Sequence, residues 1–202
     1  MSGRFIVLEG GEGAGKSSVQ QALGERLRAD GRNVLLTREP GGTPLGEDIR
    51  AILLAERSLD DPLAELLLFE AARAHLVRTV IRPALERGDW VVCDRFAASS
   101  VAYQGFGRGL GRDLVERANA VATGGLEPDV TLLLDLPVDE GLSRRQGEGA
   151  RNHFDHEQRA FHEQVRAGYL ELARGDPARW VVIDASQPLN AVIERAYKAV
   201  AH

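Results

Sequence analysis

The chain has 202 residues, 44% of them hydrophobic and 27% charged, with a net charge of −5. That length suits one domain with its own core, and the acidic balance excludes a broad polynucleotide surface, which needs many cations to displace counterions. No apolar stretch is long enough to span a membrane and Met1-Ser2-Gly3-Arg4 has no signal-peptide pattern, so no membrane partner and a cytoplasmic setting are expected.

The apolar run Phe5-Ile6-Val7-Leu8 predicts a first buried strand, and residues 19–29 predict a helix. Between them Gly10 to Ser17 read G-G-E-G-A-G-K-S, a complete G-x-x-x-x-G-K-[ST] phosphate-binding loop in its strand-loop-helix setting. Gly10, Gly11, Glu12, Gly13, Ala14 and Gly15, with Lys16, Ser17 and Ser18 opening the helix, are expected to turn backbone N–H groups onto a polyphosphate. Lys16 would reach its β and γ phosphates and Ser17 would coordinate Mg²⁺.

Residues 33–36 predict the second strand, followed by the turn Thr37-Arg38-Glu39-Pro40-Gly41-Gly42-Thr43. Pro40 forces Glu39 into an extended conformation. Arg38 would then stand on a stiff support and grip a second phosphate, or the composition reflects turn chemistry alone. Helices are predicted over residues 45–55 and 62–87; in the second, Asp60 or Asp61 caps, Pro62 opens, Pro83 kinks or divides and Gly88 terminates. Phe69 and Arg73 lie four apart on that helix, placed either for the core or for stacking on a base whose carbonyl edge faces the guanidinium.

Trp90-Val91-Val92-Cys93 predicts the third strand, with Cys93 as a buried apolar filler. Asp94-Arg95-Phe96, Ser99-Ser100 and Tyr103-Gln104-Gly105 follow. Beside a phosphate loop, Asp94 at a strand tip can hold Mg²⁺ or its waters, and Arg95 can clamp an anion with two hydrogen bonds. Residues 110–122, 155–174 and 189–201 predict helices, and residues 130–134 and 180–183 the last two strands. Residues 144–153 read R-R-Q-G-E-G-A-R-N-H, the most loop-like segment, and suggest a mobile flap or lid at about 144–155, with Arg144 and Arg145 extending the preceding helix. His153, His156 and His162 fit a solvated helix face better than a metal site, since the lone Cys is elsewhere and metal donor sets are tighter.

Strands separated by helices predict an α/β fold: a five-stranded parallel sheet with helices on both faces and chemistry at the carboxyl ends of the strands. A phosphate loop with convergent arginines can pass a γ-phosphoryl group to a phosphate monoester. Such an acceptor is mostly dianionic at neutral pH, so no general base is required. Alignment and charge neutralisation then carry the catalysis. The variable loop positions Gly11 to Ala14 supply no cation, so Arg144, Arg145 and Arg151 of the flap are its expected source, with Arg145 and Arg151 ranked above Arg144.

The order E-G-G-E-G-A-G-K-S, T-R-E-P-G-G-T, L-L-F-E-A-A-R, D-R-F-A-A-S-S-V-A-Y-Q-G and L-L-L-D-L-P resembles bacterial thymidylate kinase along essentially the whole chain. The resemblance implies a P-loop nucleoside monophosphate kinase fold, a homodimer, and the reaction of ATP with dTMP to give ADP and dTDP. It also implies that Arg38 and Arg95 lie near the dTMP phosphate, Phe69 against the thymine ring and Arg73 on a thymine carbonyl. Glu12 would approach the sugar 3′-hydroxyl; Ser100, Tyr103 and Gln104 would surround the nucleoside; Lys16, Arg95, Arg145 and Arg151 would assist catalysis. Where many members have Asp-Arg-hydrophobe-Glu after the lid, this chain reads Asn152-His153-Phe154-Asp155.

A deoxynucleoside kinase is the nearest rival, but it needs a base near a 5′-hydroxyl, whereas an arginine-rich acceptor side suits a phosphate already present. A guanine-nucleotide switch would carry an Asn-Lys-x-Asp reader, and this chain has none.

Overall fold

The apolar runs become parallel strands because both faces of each can be covered. The computed structural model describes residues 3–55, 61–146 and 153–201. Its sheet has β1 (Arg4–Glu9), β2 (Val34–Arg38), β3 (Trp90–Asp94), β4 (Val130–Asp135) and β5 (Trp180–Asp184) in the order β2-β3-β1-β4-β5, all parallel. Helices α1 (Lys16–Ala29), α2 (Pro44–Leu53), α3 (Pro62–Leu76), α4 (Arg82–Glu86), α5 (Ala97–Ser100), α6 (Arg112–Thr123), α7 (Val138–Gln146), α8 (His153–Gly175) and α9 (Leu189–Val200) connect and cover it.

Alternation along β1 shows how the two layers are built. Ile6 and Leu8 pack with Val19 and Leu23 of α1 and with Val192 and Ala196 of α9. Phe5 and Val7 face the other way, onto Leu76, Ile81 and Ala84. The same alternation sends the carboxylate of Glu9, fully buried at the strand's end, toward α5 and α8. Strand order reverses beside β1, which opens a crevice at its carboxyl end. Ala14, 4% exposed and part of the core, anchors the glycine-rich loop there.

Asp61 is the cap of α3, accepting from the backbone N–H groups of Leu63 and Ala64, and Gly88 takes a positive φ of 87° past α4. The bounds of two elements, β2 and α8, are corrected. β2 runs on through Thr37 and Arg38, because β3 continues alongside with Cys93 and Asp94 as their partners. The long helix is divided near Pro83, as expected. A π-helical turn, Val77–Ile81, precedes it and α4 resumes at Arg82, the wider turn accommodating a residue that has no N–H to give. Arg144 and Arg145 extend the preceding helix, an α7 that runs to Gln146 and is stabilised by an ion pair between Glu140 and Arg144 four residues apart. His153, rather than Asp155, opens α8. The segment after β3, read only as a string of site residues, forms α5 and the π-helical turn Val101–Gly107.

α7 presses directly on the glycine-rich loop. A Cβ on Gly13 would lie 2.3 Å from the Gly141 carbonyl oxygen, and one on Gly141 would lie 2.4 Å from that of Glu12. Gly141→Ala is therefore expected to lower the urea midpoint, at a cost of about 1–3 kcal/mol from overpacking. A raised midpoint, the ordinary result of Gly→Ala inside a helix, would contradict this close approach.

Candidate active site

The loop between β1 and α1 is built by glycines with positive φ: 143° at Gly10, 69° at Gly13 and 83° at Gly15, the residue before the first turn of α1. Lys16 is 8% exposed and its Nζ donates to the carbonyls of Gly10 and Gly11 at 3.1 and 2.9 Å. Burial, and then the charge of Arg95, pull its pKa down to about 8 against the opposing pull of Asp94, Glu12 and Glu9. An arriving polyphosphate favours the charged form. Ser17 Oγ donates to Asp94 Oδ2 at 2.9 Å, so a hydroxyl and a carboxylate meet beside Lys16. Two hard oxygen donors in that position fit Mg²⁺. Among the described residues no group of three or more His, Cys, Asp and Glu side chains suits a metal.

Arg95 stands at the centre of the crevice. Its φ of 70° lies in the left-handed region that a non-glycine residue with a long side chain rarely adopts. Its N–H donates to Leu8 O at 2.9 Å, carrying the β1–β3 ladder one step further. Nη1 donates to Gly10 O at 3.2 Å, Ser99 Oγ at 3.3 Å and Tyr169 OH at 3.2 Å. Nη2 donates to Glu12 Oε1 at 3.2 Å and Tyr103 OH at 3.1 Å. Tyr103 OH in turn donates to Glu12 Oε1 at 3.3 Å. Arg95 and Glu12, both named from the sequence, are thus joined across the mouth of the loop. Burial alone would lower the Arg95 pKa, but the surrounding oxygens, those of Tyr103 and Tyr169 foremost and then Glu12 and Glu9, hold it well above its ordinary value.

A second arginine organises the neighbouring interior. Arg73, 1% exposed, donates through Nε to Glu39 Oε2 at 2.7 Å and through Nη1 to Glu70 Oε1 at 2.5 Å, Ser100 Oγ at 3.0 Å and Asn119 Oδ1 at 2.7 Å. Nη2 reaches Phe96 O at 3.3 Å. Two carboxylates meet one guanidinium here. Burial pushes the Glu39 carboxyl up to about 7, Arg73 pulling it down and Glu70 and Glu9 pushing it further up. Glu39 Oε1 and Glu70 Oε2 are buried without a hydrogen-bond partner.

Arg38 lies at the tip of β2 opposite Asp94 and is half exposed. Its Nη2 donates to both oxygens of Glu47, at 3.2 and 3.0 Å, while Glu47 Oε1 also accepts from the Gly42 N–H at 3.0 Å. The Gly42 N–H, and then Arg38, hold the Glu47 carboxyl below its usual range. Phe69 is half-buried and is not part of the buried clusters, which removes the core reading. Ser100 and Gln104 are buried, Gln104 donating to Glu65 Oε1 at 2.7 Å. Arg144 reaches back to the loop, its Nη1 donating to Gly13 O at 3.4 Å and Ala185 O at 3.2 Å. Arg151 and the side chain of Arg145 lie outside the described residues. Cys93 is the expected filler: fully buried, with burial pushing its thiol well up.

Glu9, Glu47, Glu70, Asn119 and Tyr169 were not singled out from the sequence. Only Glu9 carried a usable local signal, a carboxylate closing an apolar strand directly before the glycine-rich loop.

The thymidylate kinase family model matches residues 8–196. Curated thymidylate kinases are similar over nearly their full lengths. That of Pseudomonas fluorescens strain Pf0-1 is 54% identical over 95% of this chain and 92% of its own. That of Methylococcus capsulatus is 52% identical over 94% and 91%, and that of Deinococcus radiodurans 48% over 98% and 96%. The chain belongs to the thymidylate kinase family. Its sheet and glycine-rich loop are those of the P-loop nucleoside monophosphate kinase fold. Within the family's T-R-E-P-G-G-T segment, Arg38 faces the crevice mouth and Glu39 the interior, as alternation along an extended chain requires.

The Arg73 cluster sets a pH dependence. Folded Glu39 keeps its proton up to about pH 7 whereas the unfolded chain loses it near 4.5, so between these values the folded state binds more protons. The stability this group contributes is present below about 4.5 and lost as pH rises toward 7. Urea midpoints of the parent and Glu39→Gln are expected to diverge across that window, the parent's falling more steeply. Parallel profiles would contradict a proton held on Glu39.

Proposed function

We propose that the chain transfers the γ-phosphoryl group of ATP to dTMP, giving ADP and dTDP, with the residues below in the roles stated. Membership of an ATP-dependent phosphotransferase family supports the reaction class. The observation that carries the site assignment is the convergence of Lys16, Arg95 and the Ser17–Asp94 pair at the end of β1.

The glycine-rich loop and the N-terminus of α1 hold the donor phosphates, and Lys16 exchanges its two carbonyl partners for phosphate oxygens. Ser17 and Asp94 would hold Mg²⁺, which would supply positive charge to the donor phosphates when bound. Arg95 and Arg38 hold the acceptor phosphate; Arg38 takes it in place of Glu47, and Arg95 keeps its anchor on Gly10 as charge moves onto the transferring group. Phe69 stacks on the base beside Arg73, with Ser100, Tyr103 and Gln104 enclosing the nucleoside and Glu12 near its sugar. No residue is needed as general base, because the acceptor is an anion already. The lid arginines 145 and 151 complete the neutralisation, within a lid at about 144–155 of one kinase domain. ATP and dTMP are cytoplasmic metabolites, and the same setting is proposed for the chain. Among the described residues no helix is long and apolar enough to cross a membrane.

We assign a homodimer to the face shared by α2 and α3, which pack on one another. Ile52 and Leu54 at the end of α2 are 52% and 67% exposed, and Leu63 and Leu67 of α3 are 43% and 56%. Such an apolar patch favours self-association. Sedimentation equilibrium is expected to give twice the chain mass, and Leu67→Glu to shift it toward one; a monomeric parent would contradict the assignment.

ADP release measured over the nucleoside monophosphates with Mg²⁺-ATP tests activity and acceptor choice together, dTMP being the expected acceptor and thymidine a poor one. Lys16→Ala and Arg95→Ala should each lower kcat by about 10²-fold or more, the scale for removing a charge-stabilising donor, with the urea midpoint largely kept. Phe69→Ala should raise the KM for dTMP more than it lowers kcat. Near-normal turnover in either cation variant, or turnover of thymidine in preference to dTMP, would contradict the assignment.

A further inference from the structure

Tyr169 projects from α8 and is 1% exposed, packed with Ala102, Leu133 and Val165 and set edge-on to Tyr103 with ring centroids 6.3 Å apart. Packing alone would be served by phenylalanine. The hydroxyl, however, sits at a junction of three polar groups: Glu9 Oε2 at 2.9 Å, Ser99 Oγ at 2.8 Å and Arg95 Nη1 at 3.2 Å. Ser99 Oγ repeats the pattern, 2.6 Å from Glu9 Oε2 and 3.3 Å from Arg95 Nη1.

The guanidinium fixes what both hydroxyls do toward it. Each has one proton to give, and the strongest acceptor available is the buried Glu9 carboxylate, whose other oxygen already takes the N–H groups of Phe96 and Ser99. Both hydroxyls can donate to Glu9 Oε2, and either can donate to the other across their 2.8 Å contact. Toward Arg95 Nη1 the lone pairs of Tyr169 and Ser99 are the acceptors, because a guanidinium can only donate. Glu9 thus reaches Arg95 through two hydroxyls. Burial raises the Glu9 pKa, opposed by the hydrogen bond from Ser99 and by the Arg95 charge, and the two hydroxyls stand between its carboxyl and the guanidinium.

We propose that Tyr169 is a positioning residue for phosphoryl transfer: its hydroxyl, hydrogen-bonded to Glu9, holds the Arg95 guanidinium against the Gly10 carbonyl at the place where the acceptor phosphate is gripped. The inference rests on the role given to Arg95 above. Arg95 needs such support, since a left-handed backbone conformation at a non-glycine residue persists only where contacts over-determine it. Without the tyrosine oxygen, Nη1 retains Gly10 and Ser99 alone, the guanidinium gains freedom, and Glu9 Oε2 loses one of its two side-chain donors.

A double-mutant cycle with parent, Tyr169→Phe, Arg95→Ala and the double variant separates positioning from packing. In Tyr169→Phe, kcat/KM for dTMP is expected to fall about 10-fold or more, the scale of a hydrogen bond to a charged group, while the KM for ATP stays within about twofold, as for a donor site left intact. In the Arg95→Ala background the same substitution should cost less than about twofold, since the interaction it removes is already gone. An equal loss in both backgrounds, or undiminished kcat/KM in Tyr169→Phe, would overturn the proposal. A parent protein that fails to phosphorylate dTMP would instead contradict the proposed function. The coupling is then read from the urea midpoints of the same four proteins, non-additive shifts supporting the contact and additive ones refuting it.

Discussion

A guanidinium pinned beside the glycine-rich loop is the constraint around which this molecule is arranged. Arg95 begins where β1 and β3 stop: its backbone N–H extends their ladder to Leu8 while its side chain turns onto Gly10 O. The turn demands a left-handed backbone at a residue that disfavours it. Tyr169 from α8, Ser99 from α5, Tyr103 from the following π-helical turn and Glu12 from the loop hold the side chain in place. Three separate stretches of chain, the loop, the helical segment after β3 and α8, meet at this one side chain. A site that works by aligning anions needs that rigidity, because a misplacement of about 1 Å can cost about 10²-fold in rate.

The interior beside it follows a different electrostatic rule. Arg73, Glu39 and Glu70 are withdrawn from water with one negative charge in excess, and a half-satisfied buried network is costly. Burial raises the Glu39 pKa to about 7, and the proton held below that pH balances the charge. Arg38, by contrast, is solvent-exposed and its pairing with Glu47 is of the weak surface kind, readily exchanged for a phosphate. The proposed acceptor side thus combines a half-buried, fixed arginine, Arg95, with an exposed one, Arg38, paired to Glu47.

Much of this was legible in the sequence wherever a short segment carries its own physics. The strands announced themselves as apolar runs, Asp61 and Gly88 marked helix ends by cap and turn chemistry, and Gly10 to Ser17 named the phosphate site because the loop needs those residues at that spacing. Arg38, Arg73, Arg95 and Asp94 could be picked out because each stands within a recognisable local motif. What was not legible depends on partners far along the chain. Tyr169 meets Glu9 across 160 positions and Asn119 meets Arg73 across 46, and nothing within a few residues of either foretells the meeting. Pro83 announced a break in the α-helix, but not that a π-helical turn would take its place.

A crystal structure with ADP and dTMP bound tests the central claim most directly. The account predicts the acceptor phosphate within hydrogen-bonding distance of Arg38 and Arg95, with Arg38 released from Glu47 and Arg95 still resting on Gly10 O and Tyr169 OH. An Arg95 side chain turned away from both phosphates, with the acceptor held by other groups, would contradict it.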